Sequence, residues 1–433
     1  MMRTLLAAIC AVVLFVLFAC EAGDPGSAKR VPARYGFPAD HLELLKSLDA
    51  IDFIAMRRHA WTIWAGITHQ DAPGDVAVFE TWYPADHVFH ESDHPPEHLR
   101  SFRSHFEAPK QHSFEAPGES LISHVMYNQS ARDHIRSNKL YIRDTLVQMN
   151  KTFDAQGTPG WDRSIPQFPR DAIVIKPLWW PIRENQVTVL PVWDGPYLPK
   201  NDQGLYPPML ANDFPNGVAV VPPGVEPPSN PGSVKGTNPG QHVRGVVPLS
   251  DFYYFQITQK MLDRLDSSEE PGFEHIKAGD YAALIAMHVT TREIASWVWA
   301  TYWWHDKPDE GHLAEDRPDS VKGVWRHFLM NTAFSMDTPG APDKGPHITF
   351  NPYIEGKFLN GAVSNCMSCH NLAAQPAVSQ DPDQLCGALP IIRGSYRFQP
   401  TSPERRGRVK VEFLWSILFR SLPAPPACIG AGE

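Results

Sequence analysis

Apolar residues recur at helical spacing in the N-terminal half of the chain. From about residue 41 to 66, leucine, isoleucine and alanine stand three and four positions apart, which places them on one face of a helix. A second helical region is expected over about 119–153. Between the two, residues 84–117 are rich in histidine and proline and predict a loop.

The middle of the chain is typical of β-strands instead. Residues 171–180 and 187–193 are rich in β-branched and aromatic side chains and are joined by a short polar segment. Residues 280–290 are almost wholly apolar, which predicts a strand buried on both faces. The tryptophan-rich segment 296–304 follows closely enough to pair with that strand as a hairpin.

Together these patterns predict an α+β fold. We expect a central antiparallel or mixed sheet from about 171–193, 245–258 and 280–304, flanked by helices. The C-terminal segment 330–433 should pack against the tryptophan-rich strand. Proline accounts for 42 of the 433 residues, about twice its usual share, so we expect long Pro-rich loops, above all over 196–240.

The N-terminus carries the pattern of an export signal. Arg3 precedes an unbroken apolar run of 15 residues, which is short for a spanning helix and suits the core of a signal peptide. The run ends at Cys20, and this ending resembles the bacterial lipoprotein signal, in which such a cysteine is acylated and becomes the new N-terminus. Simple secretion and a retained anchor are the alternatives.

After the signal, the chain is expected to consist of a tether and one domain. With 1–20 as the signal, the polar residues 21–40 are expected to form a flexible tether. No internal repeat or clear linker divides residues 41–433, so we expect one globular domain there. A hydrophobic content of 42% allows it a sizeable core, and a net charge of −9 argues against a nucleic-acid partner.

Cys366, Cys369 and His370 form a C-x-x-C-H motif. In an exported protein this spacing is that of covalent haem attachment, because two thiols add to the two vinyl groups of haem and the adjacent histidine ligates the iron. A zinc site would need a second pair of ligands, but no histidine follows His370 and the later cysteines stand singly. A redox dithiol would need a strand–helix setting, whereas a loop is expected here. The motif predicts one covalently bound haem c, with zinc and dithiol as the alternatives.

Longer phrases strengthen the haem interpretation. NCMSCHNLAA around the motif resembles c-type cytochromes. Upstream, RRHAWTIWAGIT, VAVFETWY, YNQSARDHIRSNKLY, AIVIKPLWW and SWVWATYWWHDKP resemble a family of large exported single-haem cytochrome-type proteins. The resemblance implies covalent haem and a redox role, with the haem segment at about 330–433, and it supplies no substrate.

The sixth ligand of the iron must come from upstream, or the site is open, because no methionine follows Met367. We favour His288, a lone imidazole in an apolar strand beside the tryptophan-rich strand, since neutral imidazole suits iron. The alternative for His288 is a core histidine that is hydrogen-bonded to backbone. Other candidate ligands are His347, Met330, Met336, His59 and His327.

Several other residues are weaker candidates for the site. Lys176, within an apolar strand, is either a pocket cation near a haem propionate or a lysine that snorkels at an edge. Further propionate partners are Arg57, Arg58 and Arg292. The tryptophans expected on one face of 296–304 either flank the haem or fill the core: Trp297, Trp299 and Trp303. The stretch HESDH, 90–94, matches a zinc-protease motif, but prolines follow it, which predicts a loop.

The two remaining cysteines are expected to pair. Cys386 and Cys428 are left over once the motif, the possible lipid site and the signal are accounted for. In an oxidising compartment two such cysteines often form a disulfide. Two free buried thiols are the alternative.

These patterns predict a bacterial periplasmic or cell-envelope protein, exported and lipid-anchored at Cys20. The favoured function is electron transfer through one haem c, between redox partner proteins. One alternative is a haem enzyme with an open sixth position, such as a peroxidase or an oxidase. Another is a haem-bearing subunit of a larger redox complex. The catalytic residues of such an enzyme are not indicated by the sequence.

Overall fold

The computed structural model describes residues 28–50, 52–72, 74–92, 94, 122–194, 214–237, 239–265, 275–333, 349–355, 365–371, 373–376 and 407–422. The predicted signal peptide and Cys20 lie outside these ranges. So do Cys386, Cys428, His347 and Met336, and the predictions about them stay predictions. The single globular domain also stays a prediction.

The fold combines helices with antiparallel sheets, as predicted. The described helices are α1 (His41–Asp49), α2 (Phe53–Ile67), α3 (Ala85–Val88), α4 (Gln129–Ser137), α5 (Arg143–Ala155), α6 (Gln259–Leu265), α7 (Cys366–His370) and α8 (Trp415–Arg420). None of these helices, within the described ranges, is long and apolar enough to cross a bilayer.

Thirteen strands lie in the described ranges. They are β1 (Tyr83–Pro84), β2 (Ile122–Ser123), β3 (Met126–Tyr127), β4 (Ile173–Ile182), β5 (Thr188–Val192), β6 (Asn216–Val221), β7 (His242–Pro248), β8 (Tyr254–Gln256), β9 (Tyr281–Thr291), β10 (Val298–Trp304), β11 (Phe328–Ala333), β12 (Ala374–Gln375) and β13 (Val409–Lys410). β12 and β13 pair with each other, and β12 follows the C-x-x-C-H motif closely in the chain.

Both long helical predictions were wrong in extent. The region 41–66 contains two helices, because Asp52 caps the amide of Ala55 and starts a second helix after α1 has ended. The region 119–153 begins with β2 and β3. Its first helix starts only after Asn128, whose side chain caps the amide of Ala131.

The large sheet has the strand order β1–β3–β4–β9–β10–β11, and all its described pairs are antiparallel. β2 also pairs with β4, and β8 with β9. The hairpin expected over 280–304 is confirmed as β9 and β10. Trp297 precedes β10 in a left-handed conformation, with φ of 61°, so the prediction that it shares a strand face with the other two tryptophans was wrong.

A small second sheet has the order β5–β6–β7, in which β6 and β7 run parallel. The single sheet predicted for 171–193 was therefore wrong, because β5 leaves the large sheet to pair with β6. β6 lies within 196–240, where an irregular excursion was expected. Residues 195–213 lie outside the described ranges.

The two faces of the large sheet are covered differently. We call the face of Tyr302 the back face. There α2 packs through Trp64, whose ring stacks on Tyr302 at 4.2 Å, and the Tyr302 hydroxyl donates to the carbonyl oxygen of Ala60 at 2.6 Å. The opposite, front face carries Trp299, Thr301 and Trp303 in alternation along β10. The candidate site lies on this front face.

Candidate cofactor site

The C-x-x-C-H motif forms the short helix α7. Met367 is fully buried in an apolar cluster with Val409 and Ile417, which fixes the helix against β13 and α8. The thiol of Cys366 is half-buried and lies 3.8 Å from the carbonyl oxygen of Thr349. The side chain of Cys369 lies outside the described parts of the structure.

His370 is held by a hydrogen bond that defines its protonation. Its Nδ1 lies 2.7 Å from the carbonyl oxygen of Phe413, and a carbonyl can only accept, so Nδ1 carries the proton. In the neutral ring Nε2 then keeps its lone pair. Burial lowers the pKa of His370 to about 4, against the raising effect of this hydrogen bond. The imidazole is therefore neutral near pH 7, as a metal ligand must be.

The ring of His370 also packs on Trp299 of the front face, with the ring centroids 4.4 Å apart. This contact brings the described part of the predicted haem segment against the tryptophan-rich strand, where it was expected. Trp299 is 5% exposed, and its indole donates to the carbonyl oxygen of Ser296 at 3.0 Å. Both rings are thus fixed by backbone carbonyls.

A polar row crosses the front face beside this contact. Lys176 on β4 pairs with His288 on β9, His288 with Thr301 on β10, and Thr301 with Asn331 on β11. Side chains opposite one another in antiparallel strands share a face. Four polar side chains therefore stand in line on four adjacent strands, in a sheet whose other positions are mainly apolar.

Residues 349–355 lie over this row. Asn351 is fully buried and donates to Thr301 Oγ1 at 2.8 Å and to the carbonyl oxygen of Tyr302 at 3.0 Å. Glu355 accepts from Nε2 of His288 at 2.5 Å and from the amide of Asn351 at 2.5 Å. The side-chain amide of Asn351 thus contacts Thr301 of the row, and the carboxylate of Glu355 contacts His288.

The charges of the row extend to His370. Burial alone would raise the pKa of Glu355, but the nearby His288, the amide of Asn351 and the Lys176 ammonium together lower it. His288, Glu355 and Lys176 all act in turn on the pKa of His370. Trp299, on which His370 packs, stands two residues before Thr301 on the same face of β10, so the polar row adjoins the motif.

His288 is thus brought near the motif, as the sequence suggested. Both of its ring nitrogens have partners, Nδ1 with Thr301 Oγ1 at 2.9 Å and Nε2 with Glu355. Both partners are side chains. The alternative for His288, a core histidine hydrogen-bonded to backbone, predicted a main-chain partner instead. A role as sixth ligand stays a prediction, and it would require His288 to give up one of these partners.

The other described ligand candidates lie elsewhere. Met330 is paired with Tyr302 and so faces the back of the sheet. His59 is 3.0 Å from Glu293, and His327 stacks on Trp304. These three are not brought to His370.

The weaker candidates are also placed. Arg57 is paired with Asp316, and Arg58 lies 3.8 Å from the same carboxylate. Arg292 is paired with Glu412, close to the motif. The HESDH stretch is not helical at its described positions, which confirms the predicted loop there.

Sequence reasoning missed three residues of the site: Asn351, Glu355 and Phe413. Asn351 and Glu355 come from a short segment with no periodic pattern, and Phe413 contributes only its backbone carbonyl. A polar residue in each of four largely apolar strands was the available signal, but the register that aligns them is not visible in one sequence.

No family model, curated protein or solved structure matches this chain. Within the described ranges, no three histidine, cysteine or acidic side chains are grouped as a metal site. A haem held by two thioethers and one histidine does not require such a group. The residues present fit that cofactor through the neutral, carbonyl-bonded imidazole of His370 and the neighbouring Cys366 thiol.

Proposed function

We propose that this protein is an exported c-type cytochrome with one haem c, bound covalently through Cys366 and Cys369. His370 would be the axial ligand, and the protein would transfer electrons between redox partner proteins. The observation that carries the proposal is the hydrogen bond from His370 Nδ1 to Phe413, which leaves Nε2 as the available ligand atom. A second partner that fixes the tautomer is typical of metal-binding histidines.

The haem would supply one-electron redox chemistry, and the chain would set its environment. The Phe413 carbonyl orients the imidazole and makes it more basic, which favours the oxidised iron. Trp299 covers one side of the imidazole and excludes water from it. The burial of the ring keeps it neutral and able to bind.

The polar row supports a second candidate function, a haem enzyme with an open sixth position. His288 and Glu355 are joined at 2.5 Å and lie near His370, together with Lys176. A histidine–carboxylate pair beside a metal ligand can hold or move a proton during a reaction. In a simple electron carrier this pair has no chemical task.

The first test is haem attachment in a bacterial host that attaches haem to exported proteins. We expect the wild-type protein to keep its haem after denaturation, with a mass increase of one haem. Cys366→Ala together with Cys369→Ala should abolish the covalent attachment. His370→Asn leaves both cysteines in place. This variant should keep the thioether bonds to the haem but change the optical spectrum. A wild-type chain without haem from such a host would refute the proposal.

Carbon monoxide separates the two candidate functions. A ferrous protein that does not bind carbon monoxide has two protein ligands and is a carrier. His288→Ala should then open the site if His288 is the sixth ligand, and an unchanged spectrum would exclude it. Binding of carbon monoxide by the wild-type protein would indicate an open site, and peroxide turnover would be assayed next.

We also propose that the chain is exported to the bacterial periplasm or cell envelope and anchored by a lipid at Cys20. Its redox partners, or a larger complex of which it is a subunit, would then lie at the same membrane. Cys20→Ala should release the protein from the membrane fraction and abolish labelling by radioactive palmitate. A wild-type protein that is soluble and unlabelled would refute the anchor.

A further inference from the structure

The carbonyl group that holds His370 belongs to an unusual turn. The amide of Leu414 donates to the carbonyl oxygen of Val411 at 3.0 Å, so Glu412 and Phe413 are the central residues. Both have positive φ, 51° and 66°. A turn with two left-handed central residues strongly favours glycine, asparagine and aspartate. Glutamate and phenylalanine are therefore held there against their own preference.

Such a conformation persists only when its surroundings impose it. The turn is fixed at both ends, because Val411 and Leu414 are buried and the amide of Val411 donates to the carbonyl oxygen of Ala373 at 3.1 Å. Its centre is fixed by an ion pair, in which Arg292 Nε donates to Glu412 Oε2 at 2.9 Å. The side chains of Arg292 and Glu412 are only 7% and 10% exposed.

Arg292 is itself firmly placed. It follows β9 directly, its amide donates to the carbonyl oxygen of Ala172 at 3.0 Å, and its Nη1 donates to that of Ile294 at 3.0 Å. Thr290, two residues earlier, pairs with Trp299, on which His370 packs. One end of the β9–β10 hairpin thus holds the imidazole through Trp299 and the turn through Arg292.

We infer that the Arg292–Glu412 ion pair is a positioning device for His370, which keeps the Phe413 carbonyl oxygen at Nδ1 by locking the left-handed turn. Arg292 and Glu412 are positioning residues, since they act on the cofactor ligand only through Phe413. The inference rests on the proposed attachment of haem at this motif. Its consequence is that an ion pair remote from the iron sets the basicity of the axial histidine and so the reduction potential.

The test uses the full-length haem protein, with two substitutions in the ion pair and one control elsewhere. Glu412→Gln removes the charge of the pair, and Arg292→Lys keeps the charge but loses the planar fork. With either, the hydrogen bond to His370 should weaken and the midpoint potential should rise. At the wild-type midpoint we expect the ferric-to-ferrous ratio to fall by roughly threefold to tenfold, and tenfold is about 59 mV for a one-electron couple.

Asp306→Asn is the matched control. Asp306 forms a partly buried ion pair with Arg244, beyond the other end of β10. It should lower stability and leave the potential and the electron paramagnetic resonance spectrum of the ferric haem unchanged. A merely structural Arg292–Glu412 pair would behave like this control.

The outcomes distinguish this inference from the proposed function. A wild-type protein without covalent haem refutes the proposed function. The positioning role alone is refuted if the wild-type protein carries haem and Glu412→Gln and Arg292→Lys have the same potential and spectrum as the wild type. If Glu412→Gln does not fold, Arg292→Lys decides by itself.

Discussion

Glu293 illustrates how single residues hold the N-terminal segment to the sheet. Its side chain is fully buried, yet it accepts hydrogen bonds from His59 at 3.0 Å, Thr291 at 2.6 Å and the amide of Ala39 at 2.6 Å. Burial alone would raise the pKa of Glu293, but these partners lower it below its ordinary value. The carboxylate therefore stays ionised in the core and joins three separate parts of the chain.

We predict that Glu293→Gln lowers the free energy of unfolding at pH 7 by about 2 kcal/mol, since a charge-assisted buried bond is lost. A lowered folded pKa means that this contribution is complete above the unfolded value of 4.5 and disappears as the pH falls below it. The difference between wild type and variant should therefore shrink from pH 7 to pH 3. Denaturant titrations at several pH values measure it.

The exposed Glu43→Gln serves as the control for Glu293. Glu43 pairs with Lys46 on the surface of α1, with side chains 68% and 71% exposed. A pair as exposed as this one adds little to stability, because solvent screens its charges. A Glu293→Gln effect as small as that of Glu43→Gln, or one that grows at low pH, would contradict the prediction.

At this scale the sequence identifies residues whose chemistry is local. Cys366, Cys369 and His370 stand within five residues of one another, so their spacing alone predicts a site of covalent haem attachment. Glu355 could not be predicted, because its partner His288 is remote in sequence and only the folded sheet brings the two together.

Among the elements, the segment 349–355 depends most on one side chain. The amide group of Asn351 donates twice to β10, and its oxygen accepts from the amides of Tyr353 at 3.0 Å and Ile354 at 3.3 Å. The segment belongs to no helix or strand that would hold it in place. Its position over the polar row therefore depends on these hydrogen bonds together with the burial of Phe350, Tyr353 and Ile354 in the core.

We predict that Asn351→Ala lowers the free energy of unfolding by about 2–4 kcal/mol, because buried donors and acceptors lose their partners. Chemical denaturation measures this loss. Asn230→Ala, at an exposed turn where the side chain only caps the amide of Gly232, should cost no more than about 1 kcal/mol. Equal effects of the two substitutions would show that Asn351 is not an anchor.

The hairpin β9–β10 was predictable because its signal is local: two adjacent apolar runs of strand-forming residues. The helix boundaries were missed because the apolar spacing continues across the break between α1 and α2. The caps Asp40 and Asp52 mark both starts, and capping chemistry decides where a continuous pattern is interrupted.

On the scale of the whole molecule, one charge cluster joins the two sheets. Arg244 on β7 donates to both oxygens of Asp306, at 2.9 and 2.5 Å, and also to Asp194 after β5. His305 lies 3.5 Å from Asp306. The attachment of the small sheet to the end of β10 therefore includes a half-buried cation between two carboxylates.

We predict that Arg244→Met lowers the free energy of unfolding by about 1.5–3 kcal/mol, since the partly buried carboxylates of Asp306 and Asp194 lose their charge-assisted hydrogen bonds. Hydrogen exchange of the β5–β7 amides should accelerate more than that of β9. Arg163→Met, which removes an ion pair to the largely exposed Asp154, serves as the comparison. Uniform acceleration in both sheets would contradict a local junction.

Which strands form one sheet could not be predicted at this scale. β4 and β5 are neighbours in sequence and similar in composition, yet they belong to different sheets. The choice depends on partners far along the chain: β9 for β4, and β6 for β5. A single sequence shows that strands exist and leaves their pairing open.

The central pairing of the large sheet also limits how fast the chain can fold. Ile173 pairs with Thr291, more than a hundred residues later, and the amide of Arg143 bonds to the carbonyl oxygen of Leu422. Contacts so distant in sequence form slowly. We expect β4 to pair only once β9 has formed, and α7 to pack against the sheet only after Trp299 is in place. During that delay the thiols of the C-x-x-C-H motif would remain accessible, and the slow topology would give the proposed covalent attachment time to occur before the site closes.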